Sequence, residues 1–224
     1  MIFITADTHI PIDITKLNNY NFPEQKDLTK DDYIIICGDF GGVWNNSEEE
    51  LYWRKWLSKR NFTTLFIDGN HDNFNLLKQY KVEKWNGGKV HFINDSIIHL
   101  MRGQIFTIKE LTFFTMGGAT SIDKYRRIEG KSWWIEEIPT NKEFNEGIKN
   151  LEKCNWKVDY VLTHAASTSI FNALACNQIN DPLVGYFNML DEKLTFTEWF
   201  CGHMHDDIDI GKYTLLYNRV IKLI

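Results

Sequence analysis

Tyr33-Ile34-Ile35-Ile36-Cys37-Gly38-Asp39 is an unbroken apolar run that stops on a glycine and a carboxylate. Continuous hydrophobicity over a strand-length segment, rather than alternation, predicts a strand buried on both faces, as in a parallel sheet covered on each side. The same arrangement recurs along the chain. Upstream, Ile2-Phe3-Ile4-Thr5-Ala6 runs into Asp7-Thr8-His9. Downstream, Thr64-Leu65-Phe66-Ile67-Asp68 runs into Gly69-Asn70-His71-Asp72, Asp159-Tyr160-Val161-Leu162 into Thr163-His164, and Trp199-Phe200-Cys201 into Gly202-His203-Met204-His205. Each polar cluster follows a β-like run, so a single sheet could bring all of them to one edge.

The segments between these strands supply helices first and strands later. Ser47-Glu48-Glu49-Glu50 fits a capping box in which Ser47 accepts from a backbone N–H and Glu50 reaches back, and it starts a helix expected to run to about Lys59 with Trp53, Trp56 and Leu57 on its core face. Asn73 to Tyr80 and Asn141 to Lys153 also read as helices. Val90–Ile93, Ile97–Leu100, Gln104–Ile108 and Leu111–Met116 are short strand-like runs with turn signals between them, an expected antiparallel meander. The stretch from Thr120 to Pro139 has no clear period, and Ile208–Ile210, Tyr213–Tyr217 and Val220–Ile224 close the chain as strands. The expected architecture is α/β: two packed mixed β-sheets flanked by helices, a four-layer α/β/β/α sandwich. No repeat, low-complexity tract or linker divides it, so residues 1–224 are expected to form one domain.

The 224 residues are 43% hydrophobic, enough for a sizeable core without disulfide or metal staples. Net charge is −5, and no Lys/Arg run is dense enough to track a nucleic-acid backbone, so strong duplex binding is not expected. The charge does not exclude a phosphate substrate, because bound cations would make a site locally positive. Cys37, Cys154, Cys176 and Cys201 are scattered without C-x-x-C spacing, which with the absence of a basic, cleavable or membrane-length apolar segment predicts a soluble cytoplasmic protein.

The clusters form a mixed oxygen and nitrogen donor set, suited to Mn²⁺, Fe, Zn²⁺, Co²⁺ or Ni²⁺ better than to Ca²⁺ or Mg²⁺. No thiolate belongs to it, which disfavours a structural zinc knot. Asp7 and His9 are two apart, as are His203 and His205, so in extended chain each pair aims the same way. With one carboxylate as a bridge, the set can serve two metal sites of about four protein ligands each and leave room for water and substrate. Any one of these histidines alone is more often a hydrogen-bonded packing residue than a ligand. His91 and His99, outside the clusters, are read in that way.

In order, Asp7/His9, Gly38/Asp39, Gly69 to Asp72, His164 and Gly202 to His205 resemble the D-x-H, G-D, G-N-H-[DE], lone His and G-H-x-H blocks of the calcineurin-like metallophosphoesterase superfamily. The resemblance spans almost the whole chain. It implies two divalent ions, Mn²⁺ foremost: Asp7, His9, Asp39 and His205 hold one, and Asp39, Asn70, His164 and His203 the other. It also implies hydrolysis of phosphate mono- or diesters by a metal-activated hydroxide, with His71 as the catalytic histidine beside the leaving group. Asp72 then either orients the His71 imidazole or caps the Asn73 helix.

One departure is informative. The protein-phosphatase pattern G-D-x-x-D-R-G carries an Arg that grips phosphate, whereas Asp39 is followed here by Phe40-Gly41-Gly42-Val43-Trp44. Arg126 and Arg127, in Lys124-Tyr125-Arg126-Arg127 and near Lys131, Trp133 and Trp134, are the candidate substitutes, since guanidinium forks match phosphate oxygens and Trp can stack a base or wall a pocket. A nucleotide or a phosphoprotein fits such a site as substrate. The alternative readings are a nuclease or cyclic-nucleotide phosphodiesterase of the same superfamily, and a non-catalytic metal-binding scaffold.

Overall fold

The computed structural model describes residues 1–174 and 181–224, so Cys176 lies outside the described residues. In chain order the strands and α-helices are β1 (Ile2–Thr5), β2 (Tyr33–Cys37), α1 (Glu48–Ser58), β3 (Thr63–Ile67), α2 (Phe74–Leu77), β4 (Val82–Trp85), β5 (Gly88–Asn94), β6 (Ile97–Leu100), β7 (Gln104–Ile108), β8 (Leu111–Met116), α3 (Asn141–Lys153), β9 (Tyr160–Thr163), α4 (Thr168–Ala173), α5 (Pro182–Lys193), β10 (Glu198–Cys201), β11 (Ile208–Ile210), β12 (Tyr213–Leu215) and β13 (Ile221–Lys222).

They build two mixed sheets, one of seven strands in the order β13-β1-β2-β3-β6-β5-β4 and one of six in the order β11-β12-β10-β9-β8-β7. The centre of each is parallel: β1, β2, β3 and β6 in the first, and β8, β9, β10 and β12 in the second. Strand alternation explains the layers. Ile35 and Cys37 of β2 point between the sheets, where they pack with Ile4, Leu65, Phe106, Phe113, Leu162 and Phe200. Ile34 and Ile36 point outward onto Leu57 and the partly buried Trp53 and Trp56 of α1, and onto Leu77 of α2. On the far side, Phe144 and Leu151 of α3 and Leu183, Phe187 and Leu190 of α5 cover Phe114, Val161 and Trp199. This is the expected α/β sandwich.

Local differences from the sequence reading have physical reasons. Val90 to Met116 is not a continuous meander: β5 and β6 pair in the first sheet, β7 and β8 in the second. Every residue of β6 is buried, as are the last four of β8, so each strand takes a parallel neighbour, β3 and β9 respectively, instead of an edge position. Gly103, at φ +68, lies in the crossing between the sheets. The Asn73–Tyr80 helix contracts to the single turn of α2, capped by the Asn73 side chain. The Ser47 box is half formed: Ser47 accepts from Glu50 N, but the Glu50 carboxylate passes Ser47 to accept from the amides of Trp44, Asn45 and Asn46. Strand β4 and helices α4 and α5 are additional to the expected elements. Strand β4 is joined to β5 through Asn86-Gly87, and α5 starts on an Asp181 cap with Pro182 in its first turn.

Ile35→Ala removes a fully buried side chain from between the sheets and is expected to cost about 2–5 kcal/mol in urea denaturation. Leu51→Ala, on the exposed face of α1, is expected to change stability by less than about 0.5 kcal/mol.

Candidate metal centre

The polar clusters leave β1, β2, β3, β9 and β10 at their C-terminal ends, and because these strands run parallel within each sheet those ends share an edge. The first two loops stay paired past the strands, Asp7 N donating to Gly38 O (3.1 Å) and His9 N to Asp39 O (2.9 Å). The two sheets are stitched together at this edge. His164 Nδ1 donates to Cys37 O (2.9 Å), and His203 N donates to Asp7 Oδ2 (3.0 Å). Gly38 is required by this closeness, since it sits at φ +84 and a Cβ there would lie 2.2 Å from the His164 ring. Five non-glycine residues of the clusters also adopt left-handed backbone: Asp7 (φ 51), His9 (34), Asp39 (50), His203 (68) and His205 (50). Such conformations cost energy and concentrate where a site over-determines them.

Asp7, His9, Asp39 and His205 each offer a ligand atom within 4.8 Å of the others, a group that could hold a metal ion. Its chemistry fits a cation. Asp7 Oδ1 is buried and makes no hydrogen bond, although His205 Nε2 stands 3.3 Å from it. An unpaired buried carboxylate oxygen is costly unless a positive charge faces it. His9 Nδ1 donates to Asp13 Oδ2 (2.8 Å), which aims Nε2 at Asp39 Oδ2 (3.2 Å). Tyr217 stacks on the His205 ring at 4.7 Å and 12°.

On the other side of the same carboxylate, His164 Nε2 lies 3.3 Å from Asp39 Oδ1 and 3.2 Å from Asn70 Oδ1. The His203 ring packs edge-on against His164, with centroids 5.1 Å apart. The amide of Asn70 is held from behind, its Nδ2 donating to Ser121 Oγ (3.2 Å) and Ser121 in turn to the buried Glu137. All seven side chains from the sequence clusters thus gather around Asp39 and Asp7.

His71 lies beside them. Its N–H donates to Asp39 Oδ1 (2.7 Å), and its ring meets His9 edge-on at 5.7 Å. Arg127 covers the imidazole, with Nη1 3.1 Å from Nδ1 and Nη2 3.4 Å from Nε2, and Asp123 holds its Nε (2.8 Å). Arg126 does not share this position; it is exposed and lies over the ring of Tyr125. Trp133 is half-buried under Lys124, and Trp134 is a core residue set edge-on against Trp44. Asp72 departs from both expectations. Its oxygens accept from the amides of Gly69 (2.8 Å) and Gly41 (3.3 Å), so it ties two of the site's loops together and neither orients His71 nor caps α2. His91 and His99 are buried and hydrogen-bonded to one another (3.1 Å), and His99 to Asp68 (3.1 Å).

Sequence reasoning did not single out Asp13, Ser121, Glu137 or Tyr217. Asp13 alone carried a local signal, four residues beyond His9. The other three are joined to the site only by the fold.

The electrostatics follow from crowding acids and imidazoles in a dry place. Burial would raise Asp39, yet His164, His9 and His71 hold it well below the usual carboxylate range. Burial would lower His164, but Asp39 and then Asp7 push it up to about 10. His9 is raised in the same way, against its burial, by Asp39, Asp7 and Asp13. Burial and then the neighbouring His164 bring His203 down to about 4, so it is a neutral imidazole with a lone pair to give. Burial also lowers His71. Burial and the Asp39 charge lift Asp72 to about 7.

The family model for calcineurin-like phosphoesterases matches residues 1–207. A search of curated proteins found no match.

A proton stands in for a cation in the metal-free protein, which sets its pH dependence. The raised His164 stabilises fully below its unfolded value of about 6.5, and that stabilisation is lost as pH rises through about 10. The depressed Asp39 acts in the opposite sense, stabilising above about pH 4 and losing its contribution on acidification. With chelator present, the urea midpoint is expected to fall between pH 6.5 and 10, and His164→Gln is expected to flatten that alkaline limb.

Proposed function

The chain belongs to the calcineurin-like phosphoesterase family, and on that premise we propose that residues 1–224 form a single catalytic domain, a dinuclear metal-dependent hydrolase of phosphate mono- or diesters. The observation that carries the reading is the position of Asp39. One of its oxygens faces His9 and the other His164 (3.2 and 3.3 Å), so a single carboxylate serves both groups. In this reading Asp7, His9, Asp39 and His205 hold one ion, and Asp39, Asn70, His164 and His203 the other. Two divalent ions, Mn²⁺ foremost with Fe, Zn²⁺, Ni²⁺ or Co²⁺ as alternatives that the mixed donors also suit, would supply an acidified water as nucleophile and neutralise the phosphoryl charge.

The remaining tasks belong to this chain's side chains. His71, kept neutral near pH 7 by burial, retains one N–H to offer the leaving oxygen, a role worth about 10²–10⁴-fold. Its backbone bond to Asp39 fixes it to the site. Arg127, positioned by Asp123 and resting on His71, is the phosphate-gripping residue, supplying the guanidinium that the segment after Asp39 lacks. A phosphate entering between the two would exchange the Arg127–His71 contact for charge-assisted bonds to its oxygens. Asp72 is a positioning residue that fixes the Asp39 and Asn70 loops. A nucleotide or phosphoprotein remains the substrate class. Cytoplasmic residence belongs to the same reading; the structure itself contributes that, among the described residues, no helix is long and apolar enough to cross a membrane.

The purified protein is expected to hydrolyse p-nitrophenyl phosphate or its bis ester with Mn²⁺ and to lose that activity with chelator. His71→Ala should lower kcat about 10²–10⁴-fold with metal content unchanged, and Arg127→Ala should lower kcat/KM about 10–100-fold. Inactivity on both esters across Mn²⁺, Ni²⁺, Co²⁺ and Zn²⁺, in protein that binds two ions, would favour the scaffold reading. Preferred cleavage of duplex DNA would favour the nuclease.

A further inference from the structure

Among the side chains outside the proposed ligand set, Ser121 and Glu137 stand out because they are buried (each 2% exposed) and polar, Ser121 bonded directly to Asn70 and Glu137 joined to it through Ser121. We propose that they are positioning residues that select which atom of the Asn70 amide faces the metal centre. The proposal rests on the two-ion reading above and adds a determinant of the second site.

The argument is one of donors and acceptors. An amide has two ends of nearly equal size, and only its oxygen is a useful ligand for a hard cation. Burial pushes the Glu137 carboxyl up to about 7, and above that pH, as a carboxylate, it only accepts: Oε2 takes the Ser121 N–H (3.0 Å) and Oε1 the Ser121 hydroxyl proton (2.9 Å). A serine hydroxyl has one proton. With that proton committed to Glu137, Oγ can present only lone pairs to Asn70, so the amide must turn its NH₂ end to Ser121 (3.2 Å). Oδ1 then points the other way, toward His164 Nε2 (3.2 Å). The chain carboxylate, hydroxyl, amide is directional and almost fully shielded from water, Asn70 being 3% exposed. Ser121 and Glu137 also close the base of the segment that carries Arg127. The loop that brings the guanidinium to His71 is therefore anchored on the amide of a proposed ligand.

The carboxylate need not touch a metal to matter. Groups that orient a ligand from behind typically contribute 10–100-fold in metal affinity. Ser121→Ala leaves the Asn70 amide free to turn its NH₂ toward the centre, whereas Ser121→Thr keeps the hydroxyl and its single proton.

The test is calorimetric titration of Mn²⁺ into metal-free protein, with elemental analysis of the loaded form. Wild type and Ser121→Thr are expected to bind two ions. Ser121→Ala is expected to keep one ion at wild-type affinity and weaken the other about 10–100-fold. In an Asn70→Ala background, Ser121→Ala should have no further effect, because its influence passes through the amide. Wild-type affinities at both sites in Ser121→Ala would overturn the proposal. So would equal loss at both sites, or an additive loss in the double variant, since each marks a merely structural role. If wild type itself binds fewer than two ions, the dinuclear reading fails, which the same titration distinguishes from failure of the Ser121 role.

Discussion

A buried carboxylate, Asp39, is the constraint on which the arrangement depends. It is 1% exposed, accepts the His71 amide, and faces His9 with one oxygen and His164 with the other. An ionised group in that position is tolerable only with opposite charge and hydrogen bonds on every side. The fold supplies them from two sheets. Parallel strands place the C-terminal loops of β1, β2 and β3 on one side and of β9 and β10 on the other, and His164 and His203 cross to bond with Cys37 and Asp7. Loosening the sheets at this edge would leave the carboxylate unpaired, so the packing of the sandwich and the electrostatics of the site reinforce each other.

The site also stores strain. Five of its residues hold left-handed backbone without being glycine, and Asp7 Oδ1 is buried without a hydrogen bond. A fold tolerates such features where something else compensates. The compensation available in this site is a cation, and in its absence a proton shared between acids and imidazoles. That is why His164 and His9 are raised while Asp39 is depressed.

Much of this was legible in the chain, and the divisions between what was and was not are physical. Ile34 to Cys37 announces a strand buried on both faces because no residue in it can face water, and the glycine-flanked clusters announce loops because their residues favour turns. Convergence of seven side chains could be anticipated because all of them follow strands. The meander could not be excluded from short apolar runs, since periodicity does not say which neighbour a strand takes. Two signals were present in plain view: Asn86-Gly87 as a two-residue hairpin, and Asp181-Pro182 ahead of Leu183, Tyr186, Phe187 and Leu190 at helical spacing. Ser121, Glu137 and Tyr217 were illegible because their link to the ligands is purely tertiary. Asp72 misleads for a related reason. Adjacent in sequence to His71, it turns instead to two loop amides, because a buried carboxylate goes where N–H groups are.

The central claim is that Asp39 bridges two cations. It is tested most directly by a crystal structure grown with Mn²⁺ and measured for anomalous scattering. The account predicts two peaks, one on each side of the Asp39 carboxylate, the first within bonding distance of Asp7, His9 and His205 and the second of Asn70, His164 and His203. A single peak that Asp39 does not share, or none at saturating Mn²⁺ with these side chains placed as described, would contradict it.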